Sequence, residues 1–369
     1  MTTTSGSSAA GGDTRPSAGD APGEPADDAT RLDVFLCGPI FLDIVFSGLP
    51  VAPRPGTEVW AEGMGSLPGG IANLAVATSR LGLRTGLAAG FGGDVYGQWC
   101  WQLLAEEGID LRWSRRVREQ HTSVTTSFSY GDDRSMVTHG HDLPLGYDEL
   151  IGDPPATRAV ITDLGGDRGQ EQWWRRAAQG GAKVFADIGW DPTDAWDPAA
   201  LQPLQQCHAF LPNQVEAMAY TRTEDPRAAL TALADLVPVA VVTLGRRGAI
   251  AIDSTTGEEA AVPALDVAAI DPTGAGDVFA AGFASGTLWD LPLADRLAFA
   301  ALCSALAVQQ FGGSLAAPGT GDLEDWWQVT RRAAAQGDPA AQHLRERYAF
   351  LDGALPHRPP RVPRRAEAT

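Results

Sequence analysis

Lysine is nearly missing from this chain: among 28 Lys and Arg residues the sole lysine is Lys183, in the stretch GAKVFAD. Its scarcity excludes a Walker A loop and the protein-kinase architecture, each of which needs a lysine at a set place against nucleotide phosphates. Cysteine is scarce too. Cys37, Cys100, Cys207 and Cys303 lie far apart with no CxxC pair, so neither a metal cluster nor a disulfide framework is expected, and a reducing compartment suits the chain. No apolar run approaches the ~18 residues of a membrane span, and no basic segment followed by an apolar one marks export. The expectation is a soluble, cytoplasmic protein with no membrane partner. Positive charge is short overall, 46 acidic residues against 28 basic ones leaving a net charge of −18. Nucleic acid is therefore excluded as the main partner, because neutralising its phosphates takes clustered Lys and Arg. A small anionic ligand must meet positive potential that is built locally.

What is present is a globular composition over 369 residues, 44% hydrophobic and 20% charged, enough for one large α/β domain. Residues 1–31 are rich in Gly, Ser, Ala, Pro and Asp and read as a disordered tail, as does the Pro/Arg-rich stretch 353–369. Between them, apolar runs at Val34–Gly38, Thr85–Ala89, Ala159–Asp163, Val184–Asp187, Ala209–Leu211 and Val239–Leu244 read as strands. Helical spacing at Ile71–Leu81, Val95–Glu107, Asp277–Trp289 and Leu293–Gln310 alternates with them, and Gly82 and Gly108 suit helix C-caps. Such continuous apolar strands belong in a parallel sheet covered on both faces. The alternation predicts a three-layer α/β/α fold with a mostly parallel central sheet over 32–321, and added helices over 322–352. Ser123–Tyr130 breaks it with period-2 β-branched and aromatic residues, and Val45–Trp60 reads as irregular and Pro-rich. A small β-sheet lid from segments 44–66 and 114–141 accounts for both.

The strongest chemical signal is Asp271-Pro272-Thr273-Gly274-Ala275-Gly276-Asp277, ahead of the apolar helix VFAAGFASG. Gly274 and Gly276 permit unusual backbone angles and let a ligand approach the main chain. Successive amides at such a turn make an anion-binding concavity, reinforced by the positive end of the helix. That supplies the local potential which the missing lysine withholds. Asp277 beside those amides either caps the helix or faces an incoming hydroxyl.

DPTGAGDVF resembles the second signature of the PfkB family of carbohydrate and nucleoside kinases, which is ribokinase-like in fold. Four further stretches follow in the family's order: Pro68-Gly69-Gly70-Ile71-Ala72-Asn73, Gly93-Asp94-Val95-Tyr96-Gly97, Asn213-Gln214-Val215-Glu216, and Thr243-Leu244-Gly245-Arg246-Arg247-Gly248. The resemblance spans about 32–320 and implies a phosphotransferase moving the γ-phosphate of ATP onto a sugar hydroxyl. By the same resemblance Asp277 is the base, and the amides of Gly274, Ala275 and Gly276 form the anion hole. Gly69, Gly70, Asn73 and Asp43 bind the sugar. Thr243, Gly245, Gly248 and Asn213 border the nucleotide, and Glu216 with Asn213 serves Mg²⁺, directly or through water. Asp271 and Thr273, with backbone near Phe311–Pro318, are candidates for a monovalent cation such as K⁺. Lids in this family can pair, so a homodimer is a further expectation. Two departures bear on substrate. Phe41 stands where some sugar kinases carry a polar residue, and Asp187-Ile188-Gly189-Trp190-Asp191-Pro192 lacks the Asp-x-Asn-x-Arg pattern of several ketose kinases.

Other patterns do not hold. Gly90-Phe91-Gly92-Gly93 fails as GxGxxG because Val95 occupies the sixth place, and His139-Gly140-His141-Asp142 lacks a third metal ligand. Asp187, Asp191, Asp194 and Asp197 lack EF-hand spacing. Two alternatives remain open: a nucleoside kinase of the same family, or an inactive sugar- or nucleotide-binding regulator.

Overall fold

The computed structural model describes residues 31–355 except 131–132, 142, 166–168, 190, 192 and 311. Of the tails expected at 1–31 and 353–369, residues 1–30 and 356–369 lie outside the described residues, as do Asp142, Trp190, Pro192 and Phe311, whereas Gly353 and Ala354 complete a short helix and Leu355 is buried. Among the described residues the strands are β1 (Leu32–Cys37), β2 (Ile40–Leu49), β3 (Gly63–Gly70), β4 (Thr85–Ala88), β5 (Gly90–Gly92), β6 (Arg115–Val117), β7 (Ser123–Tyr130), β8 (Asp133–His139), β9 (Thr157–Asp163), β10 (Lys183–Asp187), β11 (Ala209–Phe210), β12 (Val239–Thr243), β13 (Ala249–Asp253) and β14 (Glu258–Val262).

Eight of them form the main sheet in the order β14-β13-β12-β11-β10-β9-β1-β4. Neighbours from β12 to β4 run parallel, and β13 and β14 close the other edge antiparallel. Alternation along single strands divides the core into two layers. Val34 and Leu36 of β1, with Val239 and Val241 of β12, pack against helices Ile71–Arg80, Ala275–Leu288 and Leu293–Ala307. Phe35 and Cys37, with Ala240 and Val242, face Trp173, Trp174 and the helices Gln214–Thr221 and Pro226–Ala234. Burial on both faces is why these strands read as unbroken apolar runs. The tryptophan pair at 173–174 and Trp327 are core side chains, and the four cysteines are buried thiols outside any disulfide. Among the described residues no helix is long and apolar enough to cross a membrane.

A second sheet has the order β3-β2-β7-β8, with β2 antiparallel to β3 and parallel to β7. One expectation is corrected here, and one strand was not foreseen. Val45–Trp60 is not irregular throughout, because β2 continues to Leu49 with Val45, Ser47 and Leu49 buried on one face, and the prolines begin only at Pro50. The Pro-Gly-Gly motif, moreover, ends a strand and opens a helix within one residue. Gly70 makes that turn at φ +64°, where a Cβ would lie 2.4 Å from the Pro39 carbonyl. Proline and glycine disfavour strands, which hides β3 from a reading of the sequence.

Candidate active site

Strand β2, the start of helix Ile71–Arg80 and the start of helix Ala275–Leu288 converge on one group of side chains. Asn73 Nδ2 donates to Asp277 Oδ2 at 2.8 Å, across 204 positions of sequence. The helix carrying Asp277 begins at Ala275, two residues earlier than the periodicity suggested, and its N-cap is Gly274 at φ +75°. The capping role weighed for Asp277 therefore falls to Gly274, and the Asp277 carboxylate is turned to Asn73. Burial pushes Asp277 up to about 6, against the opposing pull of the Asn73 hydrogen bond. Burial also pushes Asp43 up to about 6, helped by the negative charges of Asp277 and Asp271. Asp43 lies directly over Gly69, where a Cβ would fall 1.8 Å from its Oδ2, so no other residue fits at 69 without moving that carboxylate. Asp43, Gly69, Gly70, Asn73, Gly274 and Asp277 are thus brought together.

Asp271 is buried, and its carboxylate pins the glycine turn: Oδ1 accepts from Thr273 N at 2.9 Å and Oδ2 from Gly312 N at 3.1 Å. The cation expected at Asp271 and Thr273 would find both carboxylate oxygens already accepting from backbone. Within the turn, Ala275 N donates to Pro272 O at 3.2 Å, so that amide is partly engaged. Gly276 is exposed and has open space around it.

Asn213, Glu216, Thr243, Gly245 and Gly248 form a second group on the loops after β11 and β12. Asn213 and Thr243 are joined by a parallel bridge. Asn213 Oδ1 accepts from Val215 N and Glu216 N at 2.8 and 3.1 Å, and Glu216 Oε2 accepts from Asn213 N at 3.0 Å. This reciprocal capping box starts helix Gln214–Thr221 and uses part of the acceptor capacity that a metal would need. Gly245 and Gly248 adopt φ +59° and +99°, and a Cβ at 248 would lie 1.9 Å from Val262 O. Asp187 at the end of β10 senses both groups. Burial holds its carboxyl well above the usual range, with further contributions from Glu216, Asp277 and Asp163. Glu216 is raised by burial and by Asp163, against its bonds to Asn213. Among the described residues no three His, Cys, Asp or Glu side chains converge to ligate a metal directly. Mutually repelling carboxylate oxygens at Asp163, Asp187 and Glu216 nevertheless fit a Mg²⁺ held through its own waters.

Several contributors were given no role in the acceptor or metal site by the reading of the sequence. Gly313 packs against the site, its Cβ position lying 3.0 Å from Asn73 Oδ1, a buried oxygen without a hydrogen-bond partner. Ser314 Oγ donates to Pro68 O at 2.5 Å. Asp163 and Asp187 were legible in principle as acids at the carboxyl ends of buried strands, the edge where open α/β sheets bind ligands. His139 and His141 pack edge-to-face at 5.1 Å on an exposed rim and belong to no metal group among the described residues.

A family model described as pfkB family carbohydrate kinase matches residues 53–319. The chain belongs to the PfkB family. This kinase is 30% identical to a fructokinase from Klebsiella pneumoniae over 72% of its own length and 95% of that protein's. It is 26% identical to a nucleoside kinase from Methanothermobacter thermautotrophicus, over 79% and 94% of the two chains. In fold it matches the Arabidopsis thaliana ribokinase solved with ribose and ATP, at TM-score 0.66 and 22% identity, over 80% and 98% of the two chains. Like other family members, it is a phosphotransferase acting on a hydroxyl group of a carbohydrate or nucleoside.

Proposed function

We propose that this kinase transfers the γ-phosphate of ATP to a sugar hydroxyl with Asp277 as general base. The observation that carries the reading is the Asn73–Asp277 hydrogen bond, which holds one carboxylate oxygen and leaves the other to face the acceptor. A value of about 6 keeps Asp277 ionised at neutral pH while making it a better proton acceptor than an ordinary aspartate. Asp43 takes acceptor hydroxyls, and Gly69 keeps its carboxylate unobstructed. Backbone amides of Gly274, Ala275 and Gly276 supply the anion hole at the positive end of the helix, Ala275 N while shared with Pro272 O and Gly276 with the most open approach. Thr243, Gly245 and Gly248 border the nucleotide, while Asn213 and Glu216 position Mg²⁺ through water. Mg-ATP supplies the phosphoryl group together with divalent charge to neutralise it. The expected K⁺ carries no step here. The smaller sheet acts as a lid that excludes water from the acceptor, and buried thiols outside any disulfide suit a cytosolic enzyme. A nucleoside acceptor is the second reading, favoured by the Methanothermobacter relative.

ADP release with Mg-ATP over a panel of ribose, fructose, other ketoses and nucleosides tests this, with Asp277→Asn in parallel. One acceptor should stimulate turnover, and the substitution should lower kcat by about 10²–10⁴-fold. The wild-type kcat/KM should fall as pH drops through about 6, where Asp277 takes up its proton. An unimpaired Asp277→Asn enzyme removes the base assignment, and a nucleoside at the head of the panel replaces the sugar.

A further inference from the structure

The last turn of helix Ile71–Arg80 carries a buried guanidinium that the chemistry above leaves unused. The Arg80 side chain is 2% exposed. Its Nε and Nη2 donate to the two carboxylate oxygens of Glu107 at 2.8 Å each. Nη1 donates to the carbonyls of Leu315 and Ala317 at 2.9 and 2.7 Å. An ion pair with Glu107 would account for a stabilising role alone, but the two carbonyls lie elsewhere, at the end of the short helix Gly313–Ala316.

That segment touches the site on two sides. Gly312 N holds Asp271 Oδ2 at 3.1 Å, and Asp271 Oδ1 holds Thr273 N at 2.9 Å. Ser314 Oγ holds Pro68 O at 2.5 Å, one residue before Gly69. Between these ties Gly313 sits close to the glycine turn and to Asn73, its Cα 3.2 Å from where a Gly274 Cβ would be and its own Cβ position 3.0 Å from Asn73 Oδ1. We propose that Arg80 is a positioning residue for phosphoryl transfer, setting segment 312–317 through two carbonyls and thereby the glycine turn and the Asn73–Asp277 pair. The planar fork suits the task because it bonds a carboxylate and two carbonyls at once, whereas lysine offers a point charge. A misplacement of about 1 Å at a reacting centre costs about 10²-fold in rate, so a remote clamp of this kind has leverage on kcat.

The inference rests on Asp277 as base, and comparing Arg80→Lys with Glu107→Gln and Asp277→Asn separates the two. Turnover is read with whichever panel acceptor is active, and hydrogen exchange is read by mass spectrometry on peptides covering 271–277 and 308–317. Arg80→Lys should lower kcat about 10–100-fold, leave the KM for ATP within about twofold, and speed exchange in both peptides. Glu107→Gln should lose comparable thermal stability with kcat and exchange in those peptides nearly unchanged. If kcat in both variants only follows the loss of stability, or falls in neither, Arg80 is structural and the inference is overturned. An active Asp277→Asn enzyme would overturn the base reading instead. Should Arg80→Lys fail to fold, Ser314→Ala releases the same segment from Pro68 with the Arg80 pair intact. A lowered kcat there supports the relay, and an unchanged one overturns it.

Discussion

Asp43 and Asp277 are held in their less comfortable ionised forms at neutral pH, and function explains why. Each is raised from an ordinary value of 3.8 to about 6, first by burial. A carboxyl raised on folding costs nothing below its unfolded value, and its penalty grows as pH climbs through the window from 3.8 to about 6. Asp43→Asn should therefore raise stability at pH 7.5 by about 1–2 kcal/mol after allowance for solvent screening, and give no gain near pH 4. It should also raise the KM for the acceptor. Thermal unfolding at the two pH values, with acceptor saturation curves, checks both effects; equal gains at both pH values would contradict the origin assigned here.

At the scale of elements, the helix Ala275–Leu288 is an apolar rod whose tip carries the chemistry, so its seating matters. It lies against Leu293–Ala307 at a close approach made by glycine: a Cβ on Gly282 would come 2.9 Å from Ala300 Cα and 3.4 Å from Cys303 Sγ. Gly282→Leu should destabilise the protein by about 1–3 kcal/mol through overpacking. Because the same helix aims Asp277, kcat should fall as well. Urea unfolding and kcat of the folded variant test this, and an undiminished stability would show that the two helices can part freely. The helix itself was legible because its residues are apolar on every side and a glycine turn precedes it. Its start was misplaced by two residues, since Ala275 stands between Gly274 and Gly276, and glycine disfavours helix. Strand β3 was hidden for a related reason: Gly65, Pro68, Gly69 and Gly70 are poor strand formers, admitted where β2 pairs with them and Asp43 needs space.

For the whole molecule, a net charge of −18 and carboxylates at Asp43, Asp163, Asp187, Glu216 and Asp277 oppose the approach of an anionic nucleotide. Screening should therefore help. Raising salt from about 0.05 to 0.5 M should lower the KM for Mg-ATP a few-fold, because the Debye length contracts to a few ångströms. A KM that rises with salt would show that direct contacts from Arg246 and Arg247, on the turn after β12, outweigh the overall field.

The linear sequence by itself determined the layered α/β architecture, since periodicity and unbroken apolar strands are local properties. It also marked the five ordered motifs from which the family could be named. Tertiary structure alone decided the rest. That Asn73 rather than the helix N-terminus engages Asp277, that Gly69 exists to clear Asp43, and that Arg80 reaches Leu315 and Ala317 are facts about residues tens to hundreds of positions apart. Composition carries no record of such pairings, because hydrogen-bond geometry and shared burial arise only once the chain has closed upon itself.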